Sequence, residues 1–271
     1  MELDEQVLKK ISETLIRYDV SFPKPGLLHG TMGVVVFFFH CARHTGDISY
    51  EDHAMRLLEN IQQQILEEHT MGYADGLAGI GAAFEYLAQN DFLEIDTNDI
   101  LEEFDRAIFR AIIFGDRTDV SFHTGLSGLG RYLFFRVTGD GANNRHIGIL
   151  DNKMLLIHLT DIFEQSYLSA NKKELQDIFF FLYALDQTGI FPSKTGRLIT
   201  LLSSTDPVAL TSRHRMKMEE YYDHTCRDFV SGFPENMQHA TVPGLCDGLA
   251  GIGLSLLGKI DKRHNTWRSL L

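Results

Sequence analysis

The chain has 271 residues, of which 44% are hydrophobic and 23% charged, and a formal net charge of −12. That length and balance suit a globular fold with a sizeable core and exclude intrinsic disorder. The acidic charge, with no cluster of Lys and Arg, excludes nucleic acid as an expected partner and suits a basic peptide or a protein with a basic face.

In chain order, the N-terminal stretch MELDEQVLKK is charged and lacks the apolar core of a secretion signal. The longest apolar run, Val34 to Phe39, is too short to span a bilayer. Cys41, Cys226 and Cys246 form no disulfide framework and suit a reducing compartment. The expectation is a cytoplasmic protein with no membrane partner.

One phrase then recurs. It reads LLHGTMGVVVFFF from Leu27, YADGLAGIGAAFEYL from Tyr73, HTGLSGLGRYLFF from His123 and LCDGLAGIGLSLL from Leu245. Each copy is Gly-x-x-Gly followed by an apolar run, with the pairs Gly30/Gly33, Gly76/Gly79, Gly125/Gly128 and Gly248/Gly251. A repeat of this kind sets the architecture. Amphipathic stretches lie between the copies. From Glu51, Leu57, Leu58, Ile61 and Ile65 share one helical stripe; from Asn98, Ile100, Leu101, Phe104, Ile108 and Ile112 do the same; a third stretch runs from Asn152. The longer gap before the last copy leaves room for a degenerate one, KKELQDIFFFLYALDQTGIF from Lys172, followed by an outer stretch around Lys194. A further outer helix is expected from about Thr211 to Val230, then a long loop to Gly244.

Helices apolar on every side are buried, and half-apolar ones cover them. The alternation predicts an all-α fold, an α/α toroid of about five inner helices opened by Gly-x-x-Gly, formed as one domain over residues 1–271. The first glycine of each pair is expected in a tight turn, and the second at a close helix–helix approach. Cys41 and the runs Phe37–Phe39, Phe134–Phe135 and Phe179–Phe181 read as core.

Helices opened in this way, together with the final GLCDGLAGIG, resemble the lanthionine synthetase C-like family. The resemblance implies an α/α toroid whose bacterial members add peptide cysteine thiols to dehydroalanine or dehydrobutyrine, closing thioether rings. It also implies a zinc ion held at the mouth by two cysteines and a histidine, which lowers the thiol pKa. The sequence departs from that pattern. Cys246 matches the cysteine of the family's Cys-His pair, but Asp247 replaces the histidine, and no Trp-Cys-x-Gly is present. Cys246 and Asp247, completed by His239 or His224, are the candidate zinc ligands.

The residues before the first glycines, His29, Asp75, Thr124 and Asp247, are expected at one rim, with His123 one position further out. His29, Asp75, His123 and Asp247 are the catalytic candidates, and Thr124 is a substrate-binding one. Asp75, Thr124 and Asp247 equally suit plain N-caps. Three functions stay open. The first is thiol addition to a dehydrated peptide. The second is a catalytically lapsed subunit that binds a peptide or a peptide-modifying enzyme. The third is a glycoside-processing barrel using Asp75 and Asp247 as acid and base.

Overall fold

A computed structural model describes residues 2–18, 24–67, 70–139, 147–205, 223–233 and 243–271. The described secondary structure is all helical. The helices are α1 (Glu2–Tyr18), α2 (Thr31–Thr45), α3 (Ile48–Glu67), α4 (Leu77–Gln89), α5 (Thr97–Phe114), α6 (Leu126–Gly139), α7 (Ile147–Ser166), α8 (Lys172–Gln187), α9 (Pro192–Thr205), α10 (223–231) and α11 (Leu249–Ile260), with a C-terminal 3-10 helix (Lys262–Leu270). The chain forms two compact units: residues 1–69 with 215–271, and residues 70–214.

In the first unit, α2 packs on α3 and on α11, and α11 packs on α1 and on the 3-10 helix. Every residue from Thr31 to Cys41 is buried, as expected of a helix apolar all round. The partner α3 buries one stripe, with Ala54, Leu57, Leu58 and Ile61 inward. The first and last Gly-x-x-Gly helices of the chain are therefore direct neighbours.

In the second unit, α6 packs on α4, α7 and α8, with α5 against α4 and α9 against α8. The degenerate copy α8 thus takes an inner place beside α6. It begins without glycines, on a capping box in which Asn171 and Glu174 satisfy each other's backbone N–H groups. In α5 the buried stripe is Leu101, Ile108 and Ile112. Ile100, expected on that stripe, is instead 43% exposed. One residue turns a helix by about 100°, so Leu101 takes the inward place and Ile100 faces away.

The glycines work by making room. Gly30, Gly76 and Gly248 are the N-cap residues, with φ between −128° and −116°, values that any residue adopts. A Cβ at Gly30 would lie 2.5 Å from the carbonyl oxygen of Lys24, and one at Gly76 or Gly125 would fall on that of Thr70 or Asp119. The loop ahead of each helix folds back over its first turn. Thr31 N–H donates to the carbonyl of Lys24 (3.0 Å), Leu77 to Thr70 (2.8 Å), Leu126 to Asp119 (2.9 Å) and Ala250 to Pro243 (3.0 Å). Backbone carbonyls seven residues back thereby satisfy N–H groups that a helix start leaves without partners. The tight turn expected at the first glycine is this fold-back, and the second glycine serves it too: a Cβ at Gly33 would lie 2.5 Å from the Leu27 carbonyl.

A third glycine in the same phrase sets the spacing between inner helices. Gly81 lies under the ring of Tyr132, Gly130 under that of Phe181 and Gly253 under that of Phe37. Each aromatic belongs to the next inner helix, so α4 locks to α6, α6 to α8 and α11 to α2. Dispersion between ring and bare backbone replaces what would be a void or a clash.

A buried charge network holds α4, α5 and α6 together. Arg136 donates to Glu85, to Asp105 (2.8 Å) and to Asn98 (3.1 Å), and Tyr132 donates to Asp105 (2.7 Å). Arg136 and Glu85 are 4% and 2% exposed, so the buried Glu85 carboxylate depends on Arg136 for its countercharge.

Candidate functional site

Both units carry a pair of glycine loops joined by the same bond. In the second unit, Ala74 N–H donates to the carbonyl of His123 at 3.0 Å. In the first, Cys246 N–H donates to the carbonyl of Leu28 at 2.8 Å. Ala74 and Cys246 hold equivalent places in their motifs, as do His123 and Leu28. The last motif therefore pairs with the first as the second pairs with the third.

In the first unit this pairing joins the loop that carries His29 to the loop that carries Cys246 and Asp247. Gly244 permits it: a Cβ there would lie 2.6 Å from His29 Cα. His29 and Asp247 are exposed and Cys246 is half-buried. Asp247 has φ of +55°, in the left-handed region that Asp tolerates better than most residues. An imidazole, a thiol and a carboxylate thus sit on two joined loops, where the N-termini of α2 and α11 favour negative charge.

In the second unit, Asp75 and His123 are half-buried and Thr124 is exposed. The His123 ring lies 5.9 Å from that of Phe122, which in turn lies 4.7 Å from Tyr73. Thr124 Oγ donates to Asp119 at 2.7 Å, and Ser121 N–H donates to the same carboxylate at 2.9 Å. Burial pushes the Asp119 carboxyl up, and these bonds outweigh it, so its pKa lies below the ordinary value. Asp177, reaching across from α8, accepts from Phe122 N–H at 2.9 Å. Asp119 and Asp177 hold the His123–Thr124 loop, and sequence reasoning missed both. Asp119 carried a signal, since it stands six residues before Gly125 where the loop turns back; Asp177 carried none.

The expectation of N-capping by Asp75 and Asp247 is corrected. The cap residues are Gly76 and Gly248, which have no side chain to cap with, and loop carbonyls accept from Leu77 and Ala250. The carboxylates stand one residue outside the helices.

The implied zinc site is not completed by the described residues, among which no group of three His, Cys, Asp or Glu side chains is placed to hold a metal ion. His239 lies outside the described residues. His224, on α10, lies 2.8 Å from Asp228 in an exposed pair one turn along the same helix. Cys226 and Cys41 are buried. Burial raises the Cys226 thiol to about 11 and the Cys41 thiol well above its ordinary value, which marks both as packing groups.

The family model for lanthionine synthetase C-like proteins matches residues 21–177. The chain belongs to this family. The match covers more than half of the chain, taking in the first three glycine motifs and ending before Cys246. The α/α toroid expected from the helix alternation is the architecture of the lanthionine synthetase C-like family. No curated protein matches the chain. Among the described residues no helix is long and apolar enough to cross a membrane.

Proposed function

We propose that this lanthionine synthetase C-like protein binds a dehydrated peptide over the joined loops that carry His29, Cys246 and Asp247. There it adds a cysteine thiol of the peptide to a dehydroalanine or dehydrobutyrine. The thiol proton passes to His29, sulfur bonds to the β-carbon, the double bond becomes single, and the α-carbon takes a proton back. The observation that carries this reading is the bond from Cys246 N–H to Leu28, which seats a histidine next to the motif matching the family's ligand pair. Zinc enters the proposal only through Cys246, Asp247 and His239, and no step above depends on it. The test is cyclisation of a dehydrated peptide, followed by mass and thiol blocking, alongside the metal content of protein made without chelator. Loss of cyclisation in His29→Ala supports the reading. Unchanged cyclisation in both His29→Ala and Cys246→Ala removes the site. One zinc per chain, lost in Cys246→Ala, would bring the metal into it.

The replacement of the family's histidine by Asp247 favours a second reading, a lapsed subunit that binds a peptide or a peptide-modifying enzyme in the cytoplasm without turnover. It predicts a stable complex and no thioether product. Asp247→His discriminates: gain of zinc and of product points to a lapsed enzyme. Nothing in the described geometry favours the carbohydrate-processing alternative.

A further inference from the structure

The far end of α2 from His29 carries a cluster of histidines. His40 is buried, and its Nδ1 lies 2.9 Å from Nδ1 of His264 in the C-terminal 3-10 helix. His44, one turn along α2, packs edge-on to His264 at 5.5 Å, and its Nε2 lies 3.2 Å from Glu5 of α1. Imidazoles thus join α1, α2 and the 3-10 helix. That helix also lies against α11, where Asn265 donates to the carbonyl of Gly258 at 3.4 Å. The segment therefore rests on both helices whose other ends carry the candidate site.

A bond between two Nδ1 atoms needs a proton on one and a lone pair on the other. Two imidazolium rings would both be donors, and full protonation replaces attraction with repulsion between buried charges. A single added proton keeps the bond but buries a charge, at rings whose residues are 1% and 3% exposed.

We propose that the His40–His264 pair is an acid-released latch, which holds the C-terminal 3-10 helix on α2 while the rings are neutral and frees it on proton uptake. The surrounding charges set its sense. Beyond burial, His44 on α2, then Arg263 on the 3-10 helix and Arg43 on α2, oppose a proton on His264, and Asp261 favours one. Glu5 faces His44 from α1. From α11, Lys259 is paired with Asp4 of α1 at 2.9 Å, and from α10, Asp223 is paired with Arg268 at 2.5 Å. Burial, then the neighbouring His264 and Arg43, hold His40 down to about 3. Burial also holds His264 below its ordinary value.

Both rings therefore bind protons less well latched than released. The latch is fully stable above the released value of 6.5 and weakens as pH falls from there towards about 3. Within that window each unit of pH makes release about tenfold easier through His40, and His264 adds to the effect in the same direction.

Trp267, the single tryptophan, is fully buried in the same 3-10 helix and reports its release. Its emission is recorded on the full chain from about pH 8 to about pH 4, with far-ultraviolet circular dichroism in parallel. The expected result is a red shift between about pH 6 and about pH 4 while the helical signal is retained. In His40→Phe/His264→Phe the midpoint moves down by about one pH unit or more. Emission that is flat, that changes only with loss of helix, or that has the same midpoint in both proteins overturns the latch. Ring titration by NMR on the unaltered protein decides independently, even where the double variant fails to fold. Values for His40 and His264 well below that of a free imidazole are expected, and values at or above it refute the proposal.

Discussion

Replacing Gly30 with alanine tests whether the glycines serve space rather than backbone freedom. The new Cβ would lie 2.5 Å from the Lys24 carbonyl oxygen, 2.7 Å from the Gly26 nitrogen and 2.8 Å from the Gly26 oxygen. All three are backbone atoms, so relief requires the loop to move. That loop accepts Thr31 N–H at Lys24 (3.0 Å) and Met32 N–H at Pro25 (3.2 Å) and Gly26 (3.1 Å). Losing two such bonds removes about 2 kcal/mol. Residual crowding adds about 1 kcal/mol or more. The stiffer unfolded chain returns about 0.4–1 kcal/mol. The net expectation is a loss of about 2–4 kcal/mol, read by chemical denaturation, or a fall in Tm of roughly 4–15 °C. Gly196 is the internal control. It lies within α9 with nothing inside 4 Å of its Cβ position, so Gly196→Ala should stabilise, by up to about 1 kcal/mol. A Gly30→Ala protein within about 0.5 kcal/mol of the parent would refute the fold-back argument.

Three further outcomes follow from the packing. Gly130→Ala sets a Cβ 2.6 Å from the Phe181 ring and should cost about 1–3 kcal/mol. Phe181→Leu should cost less in that background than alone, and a double-mutant cycle with no coupling would break the proposed lock. Arg136→Leu leaves the buried Glu85 carboxylate with the Gln89 amide but no countercharge and should cost about 3–5 kcal/mol, more than Asp105→Asn, whose side chain is 20% exposed; equal losses in denaturation would show that burial is not what matters. In native protein near neutral pH, alkylation should modify Cys246 ahead of Cys226 and Cys41, because the last two are buried with raised pKa values. Peptide mass mapping checks the order, and early labelling of Cys41 would contradict the core assignment.

Much of the fold is legible in the residues because helical periodicity and a repeated phrase carry it. Leu57, Leu58 and Ile61 are buried where their spacing puts them, and the Phe37–Phe39 run is core. The third glycine of the phrase was equally open to reading, since DGLAGIG displays Gly81 and Gly253. Its meaning was hidden because the aromatic it receives belongs to another helix. Capping was misread for a related reason. An Asp before a helix looks like a cap, whereas a carbonyl seven residues back leaves no side-chain signature beyond the glycine that makes room for it. The site is legible only in part. The order of the motifs predicts that His29, Asp75, Thr124 and Asp247 hold equivalent places, but the joining of Leu28 to Cys246 depends on the last motif lying beside the first. Asp177 supports the Phe122 loop from a repeat that has lost its glycines, so no motif announces it.

The fold-back loop also explains how an altered site and an intact fold coexist in one chain. In most helices the residue at the start is constrained because its side chain must satisfy bare N–H groups. Here glycine occupies that place and loop carbonyls at 2.8–3.0 Å supply the acceptors for Thr31, Leu77, Leu126 and Ala250. The two positions ahead of the glycine are thereby relieved of capping, and they hold Leu28-His29, Ala74-Asp75, His123-Thr124 and Cys246-Asp247. Asp247 has a left-handed backbone, which His adopts about as readily as Asp. Asp247→His is therefore expected to change stability by less than about 1 kcal/mol while altering the donor set beside Cys246. A large loss of stability in that variant would show that the loop, and not only the chemistry, depends on the carboxylate. A neutral effect would mean that the fold tolerates exchange at position 247, so that the carboxylate there reports on function.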